Sequence, residues 1–232
     1  MDVDELSVVH RIRAVAALLG EPARAVMLWS LLEGRSKPSS ELAFCANVSA
    51  QSASGHLAKL LSAGLLTVTR RGRHRFYQLA NGDVAAAVES LAVLVPRDRL
   101  TRLPPRQTPM LRYARSCYDH LAGTLGVEIT EALQRKRWLL PEGKEYVVTA
   151  SGRRGLAAIG IEFSAVSAPR RALARQCLDW SERRPHLAGS VGAALFTALL
   201  TAKWIARVRD GRALRVTNEG RRELNAVFGL RL

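Results

Sequence analysis

Apolar residues recur at helical spacing through the first ninety-five positions and break at turn-forming residues. Leu6, Val9, Arg13 and Ala16 or Ala17 share one side of a first helix, closed by Leu18 and Leu19. Glu21 and Pro22 restart the chain into a second helix, Ala23 to Glu33, with Val26, Trp29 and Leu32 expected to face inward. A short third helix begins near Ser39 or Ser40, has Glu41 in its first turn and closes on Leu42 and Ala43. Asn47 sits where the chain must turn, and Ser49 suits the cap of the next helix. There Ala53, Leu57, Leu60 and Leu61 fall on one face, and Gly64 stands at the C′ position. LLTVT and RFYQL then alternate as two strands around Gly72. Beyond them Asp83 is placed to cap a helix with Val84, Val88, Leu91 and Val95 in a stripe. One small domain does not need so long a stripe, so it predicts pairing with a twin in a dimer or packing on the second half.

The polar positions give these elements a use. Opposite the leucines of the fourth helix lie Gln51, Ser52, Ser54, Gly55, His56 and Lys59, short or polar side chains that suit approach to base edges and phosphates. The hairpin tip reads RRGRHR, with Arg70, Arg71, Arg73, His74 and Arg75. Two helices, a tight turn and a basic wing predict binding to double-stranded DNA.

Residues 16–80 resemble the ArsR/SmtB family of bacterial winged-helix regulators. The resemblance is carried by ALLGEPARAVMLWSLLEG, by ELAFCANVSAQSASGHLAKLLSAGLL and by the wing RRGRHRFYQL. It implies a homodimer that represses its operator until an effector weakens binding. The family's best-known sensor has a Cys-x-Cys pair just before the Leu-Ala of the third helix; this chain has Ser39 and Ser40 there. The second familiar site uses Asp and His on the helix after the wing, and the helix from Asp83 to about Val95 contains no His. The resemblance therefore carries over no effector.

Composition widens the picture. A chain of 232 residues exceeds one winged helix and predicts a second domain. No run of 18 apolar residues exists, so no membrane partner is expected. The start, MDVDELSVVHRIR, is unlike a secretory signal, and three cysteines make no disulfide framework, so the expected location is cytoplasmic. The net charge of +15 predicts a polyanionic partner. Residues 1–95 hold 10 Lys and Arg against 8 Asp and Glu, net +2, whereas residues 96–232 hold 25 against 12, net +13. The basic second half is either a solvated arginine-rich surface or a flank that touches phosphates beside the operator.

PRDRLTRLPPRQTP, residues 96–109, has four prolines and four arginines and reads as an extended linker between a domain at 1–95 and another at 110–232. The second part contains an internal repeat, at about 110–162 and 168–232. Cys117 and Asp119 match Cys177 and Asp179 at an offset of 60; His120, Gly126 and Trp138 match His186, Gly192 and Trp204 at 66; Thr149 and Gly152 match Thr217 and Gly220 at 68. The expected plan of each copy is helix, turn, helix, strand, turn, helix, a degenerate winged unit. The fold class is thus mainly α with short β-hairpin wings: an N-terminal winged helix-turn-helix plus a duplicated, degenerate winged-helix-like C-terminal domain.

The repeat carries the second candidate site. Cys117 and His120 are expected at i, i+3 on one helix face. Pro185 is expected to end a helix and turn His186 back toward Cys177. A symmetry axis between the copies would converge Cys117, His120, Cys177 and His186, two thiolates and two imidazoles suited to a zinc-like transition metal ion. Asp119 and Asp179 are ligands or acceptors that orient the imidazoles. The alternatives are packed structural Cys, Asp and His, or an organic effector in an apolar cleft beside Trp180. Cys45, near the turn of the DNA-binding unit, reads as a small buried hydrophobe. No Ser-His-Asp spacing, Walker loop, dinucleotide fingerprint or His-Glu-x-x-His pattern is present, so no enzyme is expected. The rival class is a non-specific nucleoid-associated or RNA-binding protein without an effector.

Overall fold

The computed structural model describes residues 3–95, 109–163, 171–208 and 211–232, with side chains from residue 7 onward. The chain divides into two compact units, Met1–Val88 and Glu89–Leu232. Most of the linker expected at 96–109 lies outside the described residues; Pro109 opens a helix.

The first unit is built from α1 (Val3–Leu19), α2 (Pro22–Ser30), β1 (Lys37–Pro38), α3 (Ser39–Ala46), α4 (Ala50–Ser62), β2 (Leu66–Arg71), β3 (His74–Leu79) and the start of α5 (Gly82–Leu94). The strands form an antiparallel sheet of order β1-β3-β2. Local chemistry sets the boundaries. The Glu21 carboxylate accepts from the N–H groups of Ala23 and Arg24, at 3.2 and 2.8 Å, and Pro22 needs no donor at the first helical position. Asn47 ends α3 in the left-handed region (φ 53°), and Ser49 Oγ caps α4 by accepting from Ser52 N at 3.2 Å. Gly72 takes φ 60° at the wing tip. The core gathers Met27, Leu28, Leu31, Leu42, Leu57 and Leu60, all fully buried.

Three expectations shift. The inward face of α2 is Met27 and Leu28, continued by Leu31 and the expected Leu32; Trp29 packs half-buried against this core, and Val26 is half-buried without joining it, as tertiary packing sets the rotation of the helix. The cap of α5 is Asn81, whose Oδ1 accepts from Val84 N at 3.0 Å; Asp83 lies inside the first turn. The α5 stripe is not one surface: Val88 belongs to the first core, whereas Leu91 is exposed.

The second unit comprises α6 (Pro109–Tyr113), β4 (Arg115–Cys117), β5 (His120–Ala122), α7 (Thr124–Arg135), β6 (Leu139–Glu142), β7 (Glu145–Val148), α8 (Ala150–Ala157), β8 (Arg175–Leu178), β9 (Pro185–Ala188), α9 (Gly189–Thr201), β10 (Ile205–Arg207), β11 (Leu214–Val216) and α10 (Asn218–Phe228). The internal repeat is physical. Each copy runs hairpin, helix, hairpin, helix. Thr149 and Thr217 cap the closing helices identically, accepting from Gly152 N and Gly220 N at 3.0 and 2.9 Å. Their hydroxyls donate to Arg137 O and Lys203 O at 2.8 and 2.7 Å. Each copy's Cys-His segment is therefore a hairpin, not the helix expected, because strands of three or four residues flanked by turns are too short to show period-2 alternation.

The copies exchange strands. β7 pairs with β8 of the other copy, with Tyr146 N donating to Ala174 O and Gln176 N to Lys144 O. Reciprocally, Leu214 N donates to Ala114 O and Ser116 N to Arg212 O, with a bridge between Arg115 and Ala213. One hydrophobic core fills both copies, including Leu125, Ile129 and Leu133 of α7 with Val191, Leu195 and Leu199 of α9.

Close packing makes matched glycines obligatory. A Cβ on Gly126 would stand 2.6 Å from Leu121 O, and one on Gly192 2.6 Å from Leu187 O. Gly126→Ala and Gly192→Ala are each expected to destabilise the second unit by about 1–3 kcal/mol. Gly55→Ala on α4, where a Cβ meets nothing within 4 Å, should cause no loss. Urea unfolding of the full chain checks all three.

Candidate DNA-reading surface and metal-ligand cluster

α4 turns Ala53, Leu57 and Leu60 into the core and leaves Gln51, Ser52, Ser54, Gly55 and Lys59 exposed. His56 departs from this row. It is half-buried, with Nδ1 3.2 Å from Glu21 Oε2 within ion-pair distance. The wing places Arg70 directly opposite Arg75 and Arg71 opposite His74, with Arg73 at the turn, all exposed. Arg71 also lies over the Phe76 ring, 5.1 Å from its centre. Opposed like charges in a two-stranded ribbon are destabilising on their own. They become favourable when a phosphate supplies the opposite charge. Cys45 is half-buried rather than buried.

The second cluster forms where the two opening hairpins meet. Cys117 stands directly opposite His120 in β4–β5, and Cys177 directly opposite His186 in β8–β9. The side chains of directly opposed residues project on one face of an antiparallel pair, so each hairpin presents a thiol and an imidazole together. The expected helix carrying Cys117 and His120 is replaced by this hairpin, and Pro185 begins β9 rather than ending a helix. The expected convergence nonetheless occurs: one ligand atom from each of the four residues lies within 4.8 Å of every other. Three are buried and Cys177 is half-buried.

The imidazoles are held by carboxylates. His120 Nδ1 faces Asp119 Oδ1 at 3.3 Å. His186 Nδ1 lies 3.4 Å from Asp179 Oδ2, inside ion-pair distance but outside hydrogen-bond geometry. The Nε2 atoms face each other at 3.1 Å. With Nδ1 protonated toward the carboxylates, both Nε2 atoms present lone pairs to one another. That arrangement is stable only with a proton or a cation between them. A tetrahedral zinc-like ion with bonds of about 2.0–2.1 Å to nitrogen separates two such nitrogens by about 3.3 Å. The four residues therefore fit such an ion. Asp119 and Asp179 take the supporting role, not that of ligands.

Charge around the cluster is organised by residues that the spacing of the repeat does not reveal. Arg115, 1% exposed, donates to Asp179 Oδ2 at 2.9 Å and lies 3.3 Å from Glu89 Oε1. Glu89 Oε1 also accepts from Trp180 Nε1 at 3.0 Å and from Arg212 Nη2 at 2.8 Å. Its other oxygen lies 3.8 Å from Cys117 Sγ. Trp180 is buried, with its indole N–H on this carboxylate. Glu89 had one signal in the sequence, as the lone charge in VAAAVESLAVLV. Asp119 is paired with Arg171 at 2.6 Å. Burial raises the Asp179 pKa, but Arg115, His186 and the donors Ser181 and Gly123 outweigh it and hold the carboxyl well below the usual range. The contact with Cys177, and then burial, push the Cys117 thiol up to about 11, while the same contact lowers Cys177.

Comparison with known proteins decides the family. Residues 19–69 match the model of a helix-turn-helix domain. Over 211 residues, covering 90% of this chain and 93% of the relative, the chain is 41% identical to the uncharacterized HTH-type transcriptional regulator YdfF of Bacillus subtilis (strain 168). The chain belongs to the HTH-type transcriptional regulators. These are regulators and not enzymes. Similar solved structures include NolR from Sinorhizobium fredii, 19% identical with a TM-score of 0.38, covering 40% of this regulator and 93% of that chain. Another is the cadmium metal-sensor CMTR from Mycobacterium tuberculosis, 32% identical with a TM-score of 0.30, covering 34% of this regulator and 81% of that chain. The match to YdfF spans nearly the whole regulator, so the second unit is part of what the two proteins share.

The buried ion pair predicts the acid behaviour of the regulator. A carboxyl depressed in the folded state stabilises above its unfolded pKa, about 3.9, and loses that contribution as pH falls through its folded value. Asp179→Asn removes one of the two buried carboxylates on Arg115, leaving Glu89 alone, and is expected to cost about 3 kcal/mol at pH 7. The gap to the parent should narrow as pH falls below about 4, where the parent loses its own contribution. Denaturant unfolding at several pH values measures both.

Proposed function

We propose that the protein is a sequence-specific repressor that binds its operator as a homodimer and is released by an effector held in the second unit. The observation that carries the DNA reading is the exposed row Gln51, Ser52, Ser54 and Lys59 on a capped helix beside a wing of opposed arginines. Gln51 and Ser54 lie nearest the bases; Arg70, Arg71, Arg73 and Arg75 meet phosphates. Such a wing grips any sequence, and the helix supplies the choice. That choice favours a regulator over a coating protein of the nucleoid type. DNA as partner places the work in the cytoplasm of a bacterial cell. Among the described residues, no helix is long and apolar enough to cross a membrane.

Dimerisation is supported by apolar side chains left in solvent. α1 exposes Val8, Val9, Ile12 and Val15, and α5 exposes Leu91 and Leu94, the latter 78% accessible. A twofold dimer through these helices presents two α4 helices to a dyad-symmetric operator. Val88 lies in a core and does not test this; Ile12→Asp and Leu94→Asp do.

The effector is a metal ion at Cys117, His120, Cys177 and His186. Ligation there joins hairpins from both repeats, so occupancy favours one arrangement of the second unit. An ion that prefers that arrangement changes DNA affinity through its differential affinity alone.

Arg73→Ala or Arg75→Ala should weaken binding to all sequences and lower the salt slope by about one, whereas Gln51→Ala should cost roughly 1–3 kcal/mol at one operator position. Salt-titrated gel shifts on operator and scrambled DNA check both; wing variants that bind normally would remove the phosphate role. Ile12→Asp and Leu94→Asp should sediment as monomers with operator affinity lost. Replacing Cys117 and Cys177 by alanine should leave operator binding intact and abolish metal-induced release.

A further inference from the structure

The charges buried around the Cys-His cluster carry a conclusion about the ion itself, which rests on the metal reading above. Two groups of the cluster are anionic when they ligate, the thiolates of Cys117 and Cys177; the imidazoles of His120 and His186 ligate as neutral groups through Nε2. Around them stand three carboxylates and three guanidiniums in close ion pairs, while Arg175, which also acts on Cys177, is exposed and screened by solvent. Glu89 meets Arg212 at 2.8 Å and Arg115 Nε at 3.3 Å. Asp179 meets Arg115 at 2.9 Å, and Asp119 meets Arg171 at 2.6 Å. Glu89, Asp179 and Arg115 are each under 10% exposed, so bulk water screens this balance weakly. The surrounding shell is neutral, and the ligands bring two negative charges. A divalent ion cancels them. A monovalent ion leaves one negative charge buried beside the Glu89 carboxylate, and a trivalent ion leaves one positive charge.

We infer that the cluster takes a single divalent thiophilic cation of the Zn2+ and Cd2+ class in a neutral four-coordinate unit, and that Glu89 and Arg212 set its preference for that valence over a monovalent ion such as Cu+. The four donors, two sulfur and two nitrogen, select this class by softness and by tetrahedral shape. Glu89 and Arg212 select by charge. Glu89 lies 3.8 Å from Cys117 Sγ and is not itself one of the four ligands. Removing its charge makes the shell positive, which disfavours a divalent ion more than a monovalent one. Removing the charge of Arg212 does the reverse.

The test uses the reduced full-length chain with Zn2+, Cu+ and a Co2+ probe. Co2+ should bind at one equivalent with the visible spectrum of a tetrahedral thiolate site and be displaced by Zn2+. Affinities for Zn2+ and Cu+ are then read by competition with chromophoric chelators for the parent, Glu89→Gln and Arg212→Gln. The Zn2+/Cu+ affinity ratio should fall by about tenfold or more in Glu89→Gln and rise in Arg212→Gln, as one unit charge at this distance requires. The ratio cancels any folding defect that weakens both ions alike, and the opposite signs of the two variants exclude a common packing effect. Ratios that do not move, or move in the same direction, overturn the inference. An octahedral Co2+ spectrum without thiolate character overturns it as well. Failure to bind Zn2+ at all overturns both this inference and the metal reading beneath it. Zn2+ binding with the expected ratios but no change in operator affinity upholds the inference and overturns only the effector role.

Discussion

A hairpin of three- or four-residue strands cannot hold its own shape in water, and both hairpins that carry a Cys-His pair depend on backbone from the opposite repeat. β8 is pinned by β7, and β4 by the backbone of residues 212–214. Each repeat thus completes the other's sheet. Each opening hairpin packs on the helix of its own copy and takes its strand partner from the other, so the repeats share one core. The two imidazoles and two thiols meet because this exchange brings the β4–β5 and β8–β9 hairpins together.

The same closure explains why charge is buried there. Arg115 sits on β4 beside the exchanged strand, and its guanidinium is shared by Asp179 and Glu89. A buried guanidinium is tolerable only when its charge and donors are met. Asp179 is met in turn by Ser181 Oγ at 2.7 Å and Gly123 N at 2.7 Å. The result is a polar interior whose members constrain one another. It also sets a carboxylate behind each imidazole, Asp119 at His120 Nδ1 and Asp179 at His186 Nδ1.

The first unit works by the opposite logic. Its core is apolar but for the buried and partnered Arg24 and Lys37, and a row of polar residues stands outside on α4 and the wing. The Arg70–Arg75 pair has no compensating acid across the ribbon. This surface is incomplete without a polyanion, whereas the buried charges of the second unit are paired with one another.

The sequence alone determined the reading helix, its Ser49 cap, the turn at Asn47 and the wing around Gly72, because these follow from short-range rules of capping, turn conformation and helical period. It also determined the repeat and the membership of the Cys-His cluster, because matched residues at matched offsets imply matched positions whatever the local structure. It misplaced Cys117 and His120 on a helix, since strands of three or four residues carry no readable period. The rotation of α2, the division of the α5 stripe at Val88 and the burial of Trp180 were decided by tertiary packing. Glu89, Arg115 and Arg212 entered the cluster's surroundings only through contacts 26 to 123 residues apart in sequence, a distance at which no local pattern carries information.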